Sequence, residues 1–538
     1  MRKQSTWPRL CISATGNSLQ ELWENARGAL LHSPFVELRL DGVPDPLEFL
    51  PMISGLLAAK TPRRRGGRPI LQATCRRMEN GGRFRGSVSA QIEILQKAAA
   101  SGCRLLDLEI ESAEAAGHSA VVALRQYASL ILSFHDFHAM PALQTAARRL
   151  RQFPADLYKL VGTATRQSDN CLALDFLRSV TEKDGEPDQW IAFCMGEAGI
   201  PSRVLALSRG SAFVYAACPP VAKNAGAPIS TEPAAPGQLD FETLQNCYHA
   251  ADLKQRSAIY GLLGSPVGHS LGAVIHNAAF RAKKLDAVYL PLLSSDLKDF
   301  RKAADCYPLA GCSVTIPHKQ KILRLLDRVD RTVRDAGAAN TVRVRRGKWE
   351  AINTDIEGIV VPLRRAFQLS ERQVLPASFR AVIVGTGGAA RAAFAALRSL
   401  RCRHIFVAGR NPAKARKLAR ELNGQAMAVE ALSREQFDLL LHATSVGMWP
   451  RKEECFLRPE QIIASTVFDL VYNPPETRLL QMARRRGCRT ISGLEMFLVQ
   501  AARQFEYWTG LEAPRRRMRQ VAQQELQRFE LLGGESES

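Results

Sequence analysis

Over the first 220 residues, short apolar runs alternate with longer amphipathic segments. The runs are RLCISA, FVELRLD, ILQATCR, LLDLEI, LILSFHDF, LYKLVGTA, WIAFCMG and VLALS…AFVYAA, and each reads as a strand. Between them, segments such as SVSAQIEILQKAAASG and MPALQTAARRLRQF read as helices. Eight strands alternating with helices predict an α/β fold, a (β/α)8 TIM barrel. A doubly wound open sheet is the other solution to the same pattern. In a barrel, polar residues near the C-terminal ends of strands are the site candidates. Those ends carry Glu37, Arg39, Arg76, His135 and Lys159, with Arg203 following MGEAGIPS.

The pattern changes at residues 219–256. PPVAKNAGAPISTEPAAPGQ reads as a loop, and DFETLQNCYHAADLKQ as a closing helix, so a domain boundary is expected near residue 252. The second half opens with SAIYGLLGSPVGHS, a strand and turn. At 379–400, FRAVIVGTGGAARAAFAALRSL reads as strand, glycine-rich turn and helix, a dinucleotide-binding βα unit. Its spacing is G-x-G-G-A, carried by Gly385, Gly387, Gly388 and Ala389, rather than the full G-x-G-x-x-G. Backbone N–H groups at the helix start would hold a pyrophosphate. The next strand, HIFVAG, ends in RNPAKARK. An NAD enzyme wants an acid near here, whereas this chain offers Arg410 and Lys414, which suit the 2′-phosphate of NADP. A solvated basic helix start is the plainer reading of the same two residues.

At 538 residues the chain is too long for one core, and about two to four domains are expected. It has no apolar run of about 18 residues, so no membrane partner is expected. The start, MRKQSTWPRLCISATG, lacks the apolar stretch of a signal peptide. Twelve cysteines without C-x-x-C pairs argue against a zinc site or a secreted disulfide framework and favour a cytoplasmic location. The net charge of +21 comes mostly from arginine. The basic runs TPRRRGGRP, ARRRGC and APRRRMRQ are scattered, with no aromatic interleaving. Anionic small substrates account for them better than nucleic acid.

Lys159 lies in ADLYKLVGTA among Leu157, Leu160 and Val161. A buried ammonium is costly unless it is paired or gives up its proton. A desolvated lysine is a nucleophile toward a ketone, and His135 of SFHDF, one strand earlier, can move protons. A lysine snorkelling from a peripheral strand is the structural alternative.

The first half resembles type I 3-dehydroquinate dehydratases. The motifs are ELRLD at 37–41, TCR followed by Gly81 and Gly82, SFHDF at 133–137, YKL at 158–160, MGEAGIPSR at 195–203 and APGQ at 235–238. The resemblance implies that Lys159 forms an imine with the C3 ketone of the substrate. It implies that His135 takes the C2 proton and then helps the C1 hydroxyl leave. Arg203 would hold the carboxylate, Glu37, Arg39 and Arg76 would orient the ring and its hydroxyls, and Gln238 would sit on a closing loop. The chain departs from the family at Asn80, where relatives often carry Glu, and at Ala234, where many carry Ser.

The second half, about 257–512, resembles shikimate dehydrogenases through GSPVGHS, IHNAAF, SVTIPHK, GAANTV, NTD, GTGGAAR, ATSVGM, DLVYNP and GLEMFLVQA. The resemblance implies a catalytic pair of Lys319 and Asp355. Thr315, Asn340 and Gln500 would bind ring hydroxyls, Ser270 the carboxylate, and Tyr472 would close the pocket. Gly385, Gly387, Gly388 and Ala389, with Arg410 and Lys414, would bind NADP, while Thr444 and Met448 flank the nicotinamide. Gly272 replaces the second serine of the family's S-x-S loop, which in plant relatives goes with quinate, whereas Thr315 goes with shikimate.

The expected architecture is a barrel over 1–252, followed by a two-lobed α/β dehydrogenase. Its substrate lobe spans 257–365 and is completed by 490–530, and its Rossmann-like NADP lobe spans 366–489. The order of the halves resembles the bifunctional plant family. The expected substrates are 3-dehydroquinate, 3-dehydroshikimate and shikimate. No metal is implied, and His269 and His276 are expected to be hydrogen-bonded rather than ligands. Related repressors that bind such ligands without turnover are the competing class. Lys159, His135, Lys319 and Asp355 together speak against it. The Arg-rich C-terminal tail is expected to begin as a helix and has no assigned role.

Overall fold

The computed structural model describes residues 7–59, 68–182, 185, 188–219, 234–267 and 270–533. His269, the core of the run TPRRRGGRP, most of the Pro/Ala-rich loop and the last five residues lie outside them. Contacts divide the chain into two compact units, Met1–Ser257 with Leu290–Pro308, and Ala258–Tyr289 with Leu309–Ser538. The first division falls at Ser257, and Leu290–Pro308 groups with the first unit.

The first unit is built on eight strands: β1 (Leu10–Ala14), β2 (Phe35–Arg39), β3 (Ile70–Thr74), β4 (Leu105–Glu109), β5 (Ser129–His135), β6 (Leu157–Thr163), β7 (Trp190–Met195) and β8 (Val214–Ala217). They pair in parallel in chain order from β1 to β7, and β8 pairs with β1. The Ala212 N–H donates to the Trp190 carbonyl at 2.9 Å, which brings the start of β8 to β7 and closes the ring. The strands are apolar on their outer faces because helices cover them, and side chains fill the inside.

The inner face alternates with period two. Cys11, Phe35, Leu105, Ile131, Leu157, Ile191 and Phe213 share one buried cluster, with Ile70 packed against it. Two positions further along the strands stand Ser13, Glu37, Asp107, Ser133, Lys159 and Gln72, together with Phe193 and Tyr215. The barrel therefore has an apolar floor and a polar layer above it, toward the strands' C-terminal ends.

Two expectations are corrected here. VLALS is helical: the helix Ile200–Leu205 carries Pro201 in its first turn, where the missing N–H costs nothing, and a 3-10 turn over Ala206–Arg209 follows. Periodicity alone does not separate a short buried helix from a strand. Arg203 thus sits on a helix rather than at a strand end. The closing helix expected over 240–255 is reduced to a short stretch at 241–247, most of it the wide turn Thr243–Cys247, and His249 follows with a φ of +49°.

The second unit contains two sheets, although Leu290–Leu293, the end of one strand of the first sheet, group with the first unit. The first comprises β9 (Ala258–Gly264), β10 (Ala287–Leu293), β11 (Leu309–Val314), β12 (Arg328–Val329), β13 (Thr341–Arg345) and β14 (Lys348–Ile352), in the order β10-β9-β11-β13-β14-β12. Arg346 and Gly347 join β13 to β14 with φ of +49° and +73°, the tight turn that suits a twisted hairpin. The second sheet comprises β15 (Arg380–Val384), β16 (His404–Ala408), β17 (Gln425–Ala426), β18 (Phe437–His442), β19 (Ala464–Asp469) and β20 (Arg489–Ile491). Its order, β17-β16-β15-β18-β19-β20, reverses between β15 and β18 and opens a crevice at their carboxyl ends.

Leu498, Ala501, Ala502, Phe505 and Trp508 recur at helical spacing on Gly493–Thr509. They pack with Ile275 and Phe280 of Gly272–Ala282 and with Met518 and Val521 of the last helix. Among the described residues, no helix is long and apolar enough to cross a membrane.

The aromatic floor yields the first prediction. Phe213 is fully buried, with Phe35 at 4.9 Å and Tyr215 at 5.2 Å between ring centroids. Phe213→Ala should cost about 3–5 kcal/mol, read as an earlier denaturant midpoint by circular dichroism. An unchanged midpoint would refute the role given to this floor.

Candidate active sites

Lys159 is only 5% exposed, and its ammonium has a partner that sequence reading overlooked. Its Nζ donates to Asp107 Oδ2 at 3.1 Å and lies 4.0 Å above the centre of the Tyr215 ring. Ser133, opposite Lys159 in the β5–β6 register, donates to Asp107 Oδ1 at 2.6 Å. Burial pushes the Asp107 carboxyl up, and Lys159, Arg76 and Ser133 more than reverse it, so it sits below the usual range. The alternation in LLDLEI was the available signal, because Asp107 and Glu109 are two apart and share a strand face.

Arg76 leaves the end of β3 and reaches three groups. Its guanidinium donates to Asp107 Oδ1 at 3.2 Å and to His135 Nδ1 at 2.8 Å, and lies 3.7 Å from Glu109 Oε1. Arginine can only donate, so Nδ1 of His135 accepts here and the neutral ring carries its proton on Nε2. Burial, then the Arg76, Lys159 and Arg39 cations, hold the imidazole well below its usual value. Glu109, bonded by Gln91 at 2.6 Å, is pushed up by burial despite Arg76.

The other candidates divide into engaged and unengaged groups. Glu37 accepts from Ser13 at 2.6 Å, Thr74 at 2.7 Å and Gln72 at 3.2 Å. Arg39 is held by both oxygens of Asp41, each at 2.9 Å. Arg203 donates to the Pro236 carbonyl at 3.1 Å and lies over the Phe193 ring, but its buried Nε has no partner among the described residues. Burial pulls its guanidinium down to about 10. Gln238 donates to Ser13 at 3.2 Å, and its Oε1 likewise has no partner among the described residues. Asn80 donates to Glu111 at 2.9 Å, away from His135.

In the second unit, Lys319 Nζ donates to Asp355 Oδ2 at 2.5 Å. Asp355 opens the helix Asp355–Ala366, where a carboxylate is favoured by the free N–H groups. Asn340 Nδ2 donates to the other Asp355 oxygen at 2.7 Å and to Gln500 at 3.3 Å. Gln504, absent from the sequence-based set, donates to the Asn340 carbonyl at 3.3 Å and to Thr341 at 3.0 Å, and accepts from Ser313 at 2.9 Å.

Thr315 packs its methyl so closely over Gly264 that a Cβ there would lie 2.2 Å from it. Tyr472 bonds Ser270 and stacks on Phe497 at 4.3 Å, and burial pushes its phenol up. His276 is buried in an aromatic nest, 4.6 Å from the Tyr289 ring, and burial pulls it down to about 3.

The glycine turn fits a dinucleotide. Gly385 has φ of +141°, and a Cβ there would lie 2.6 Å from the Ala443 carbonyl. Gly387 faces open space: a Cβ on it would meet nothing within 4 Å, just where the free N–H groups of Gly388–Ser399 begin. Ala389 lies in that first turn. A Cβ on Gly388 would lie 3.0 Å from Lys319 Cδ, so the Lys319 stem runs beside the turn. Arg410 and Lys414 are exposed beyond β16, and no ion pair engages either among the described residues. Thr444 and Met448 follow β18 across the crevice, with Met448 41% exposed.

Known families match the chain along its length. Type I 3-dehydroquinase matches residues 10–255, the shikimate dehydrogenase substrate binding domain 262–342, shikimate / quinate 5-dehydrogenase 369–448, and the shikimate 5'-dehydrogenase C-terminal domain 493–523. The bifunctional 3-dehydroquinate dehydratase/shikimate dehydrogenase of Arabidopsis thaliana is 30% identical over 525 residues, covering 94% of this chain and 83% of that protein. The shikimate dehydrogenase (NADP(+)) of Moorella thermoacetica is 42% identical over 275 residues, covering 49% of this chain and 91% of that protein. A solved shikimate 5-dehydrogenase from Thermus thermophilus, in complex with NADP(H) and shikimate, is 30% identical, covers 50% of this chain and 99% of its own, and has a TM-score of 0.44. With its two halves in this order, the chain belongs to the family of bifunctional 3-dehydroquinate dehydratase/shikimate dehydrogenases.

Proposed function

We propose that the chain catalyses two consecutive steps of the shikimate pathway. The barrel dehydrates 3-dehydroquinate to 3-dehydroshikimate through a Schiff base, and the second unit reduces that product to shikimate with NADPH. The observation that carries the first step is the buried Lys159 of the barrel's polar layer, paired with Asp107 and near enough to His135, two residues beyond the facing Ser133, for its charge to bear on that ring. Twelve free thiols support a cytosolic setting.

In the dehydratase step, Lys159 Nζ gives up a proton, for which Asp107 is the acceptor in reach, and adds to the C3 carbonyl. Water leaves and a C3 iminium forms. The iminium draws electrons from the C2–H bond while His135 takes the proton. The C1–O bond then breaks, and His135 returns a proton to the departing hydroxyl, which leaves as water. Hydrolysis of the imine releases product and restores Lys159. For His135 to act as base, Arg76 must release Nδ1, and a substrate that draws Arg76 toward itself would free that lone pair. Arg203 supports a carboxylate subsite, since among the described residues no acid pairs with its buried guanidinium and its Nε has an unused N–H.

In the dehydrogenase step, the turn at Gly385–Gly388 would hold the pyrophosphate of NADP, and Arg410 with Lys414 the 2′-phosphate. When bound, NADPH supplies the hydride for the carbonyl carbon. Lys319 delivers a proton to the carbonyl oxygen as it becomes a hydroxyl, and Asp355 orients the ammonium. Asn340 and Gln500, already joined, would hold ring hydroxyls, and Ser270 with Tyr472 the carboxylate end.

Quinate is the second reading for this half, because Gly272 stands beside Ser270 in place of the family's second serine. A Cβ there would lie 3.2 Å from Ser270 Oγ and from a Tyr289 ring carbon.

Borohydride reduction in the presence of 3-dehydroquinate should leave a ligand adduct on Lys159, found by peptide mass spectrometry. A protein that binds the ligand but yields no adduct would sink the imine mechanism. The acid-side fall of dehydratase kcat/KM should lie below about pH 6.5, the ordinary imidazole value, because the surroundings oppose the imidazolium. Arg76→Gln removes one of the opposing cations, so its fall should move to higher pH, and a move the other way would contradict this account. Steady-state comparison should give a higher kcat/KM for shikimate than for quinate, and the reverse order would assign the second half to quinate.

A further inference from the structure

His442 belongs to no part of the mechanism above, yet it is the most tightly bonded histidine at the NADP crevice. It is the last residue of β18 and lies opposite Asp469, the last residue of β19. Both are almost fully buried. His442 Nδ1 lies 2.8 Å from Asp469 Oδ1, and Nε2 lies 2.5 Å from Thr444 Oγ1. The Asp469 carboxylate also accepts from the Val471 N–H at 3.0 Å and the Thr477 hydroxyl at 2.6 Å. Thr444 Oγ1 accepts from the Val446 N–H at 3.2 Å.

These contacts orient the protons. The Asp469 carboxylate only accepts, so Nδ1 carries the ring proton. Nε2 then offers a lone pair, and the Thr444 hydroxyl donates to it. The remaining Thr444 lone pairs face the Val446 N–H, which fixes both the threonine side chain and the turn it begins. Between His442 and Thr444, the Ala443 N–H donates to the Val384 carbonyl at 2.8 Å, and the Ala443 carbonyl is the atom that Gly385 must approach without a side chain. One short segment therefore touches the glycine turn on one side and begins the opposite wall of the crevice on the other.

We propose that His442 is a positioning residue for the dinucleotide: anchored by Asp469, it fixes the Thr444 hydroxyl and the turn through Val446, and so sets the wall against which the nicotinamide end rests. This rests on the reading that Thr444 and Met448 flank the nicotinamide. The relay needs one tautomer of His442, with its proton on Nδ1.

The test uses the full chain and steady-state kinetics with 3-dehydroshikimate and NADPH. Asparagine at 442 can still donate to Asp469 but is too short to reach Thr444. His442→Asn should raise KM for NADPH about three- to tenfold, the effect of one lost hydrogen bond, with KM for 3-dehydroshikimate unchanged. His442→Gln, whose amide reaches the Nε2 position, should restore part of the loss. Thr444→Val should match His442→Asn, and the double variant should be no worse than either single one.

If Thr444→Val raises KM for NADPH and His442→Asn does not, the relay is overturned while the reading of Thr444 stands. If neither moves it, that reading falls and the relay with it. A rise in both KM values would mark His442 as merely structural and overturn the proposal. Should His442→Asn not fold, nitrogen NMR of 15N-histidine-labelled wild-type chain decides. A proton on Nδ1 of His442 is expected, and a proton on Nε2 alone would overturn the proposal.

Discussion

A cation inside a barrel needs its counter-charge in the same wall. Lys159 meets that requirement through Asp107, two strands away, and the rest of the upper layer follows from it. Asp107 needs more than one donor to stay ionised away from water, so Ser133 and Arg76 converge on it. Arg76 in turn brings Glu109 and His135 into the same network. The apolar floor beneath excludes water from one side and makes each of these contacts electrostatically stronger.

The second unit meets a similar requirement differently. Lys319 is less buried and is held by a single carboxylate, at the start of a helix. Rigidity comes from amides: Asn340 grips Asp355 and is itself gripped by Gln500 and Gln504 from the helix Gly493–Thr509. Backbone shape does the remaining work, since Gly385 can approach Ala443 only without a side chain.

Much of this is legible in the sequence, for identifiable reasons. Strict alternation of strand and helix announces the barrel, and lysine within an apolar strand announces a buried cation that needs a partner. Asp107 escapes notice because an acid in a strand carries no local sign of its partner, which arrives from residue 159. Gln504 escapes for a similar reason, as glutamine on a helix reads as surface until the facing strand is known. Arg203 reads as a strand-end residue because VLALS is apolar all round, and such a run does not reveal its period. His442 lies in a segment whose sequence signal is its threonine and methionine, and its importance depends on the strand order that places Asp469 beside it.

The clamp on Asn340 also orders events on the ribosome. Gln504 lies 164 residues after the carbonyl it bonds. At roughly 5–20 residues per second, Asn340 waits roughly 8–30 s for the helix that clamps it. During that interval the whole of the second sheet is made, from β15 to β20. The barrel strands, by contrast, are complete before β9 is synthesised. The nascent chain therefore completes its eight barrel strands well before the clamp on Asn340 can close.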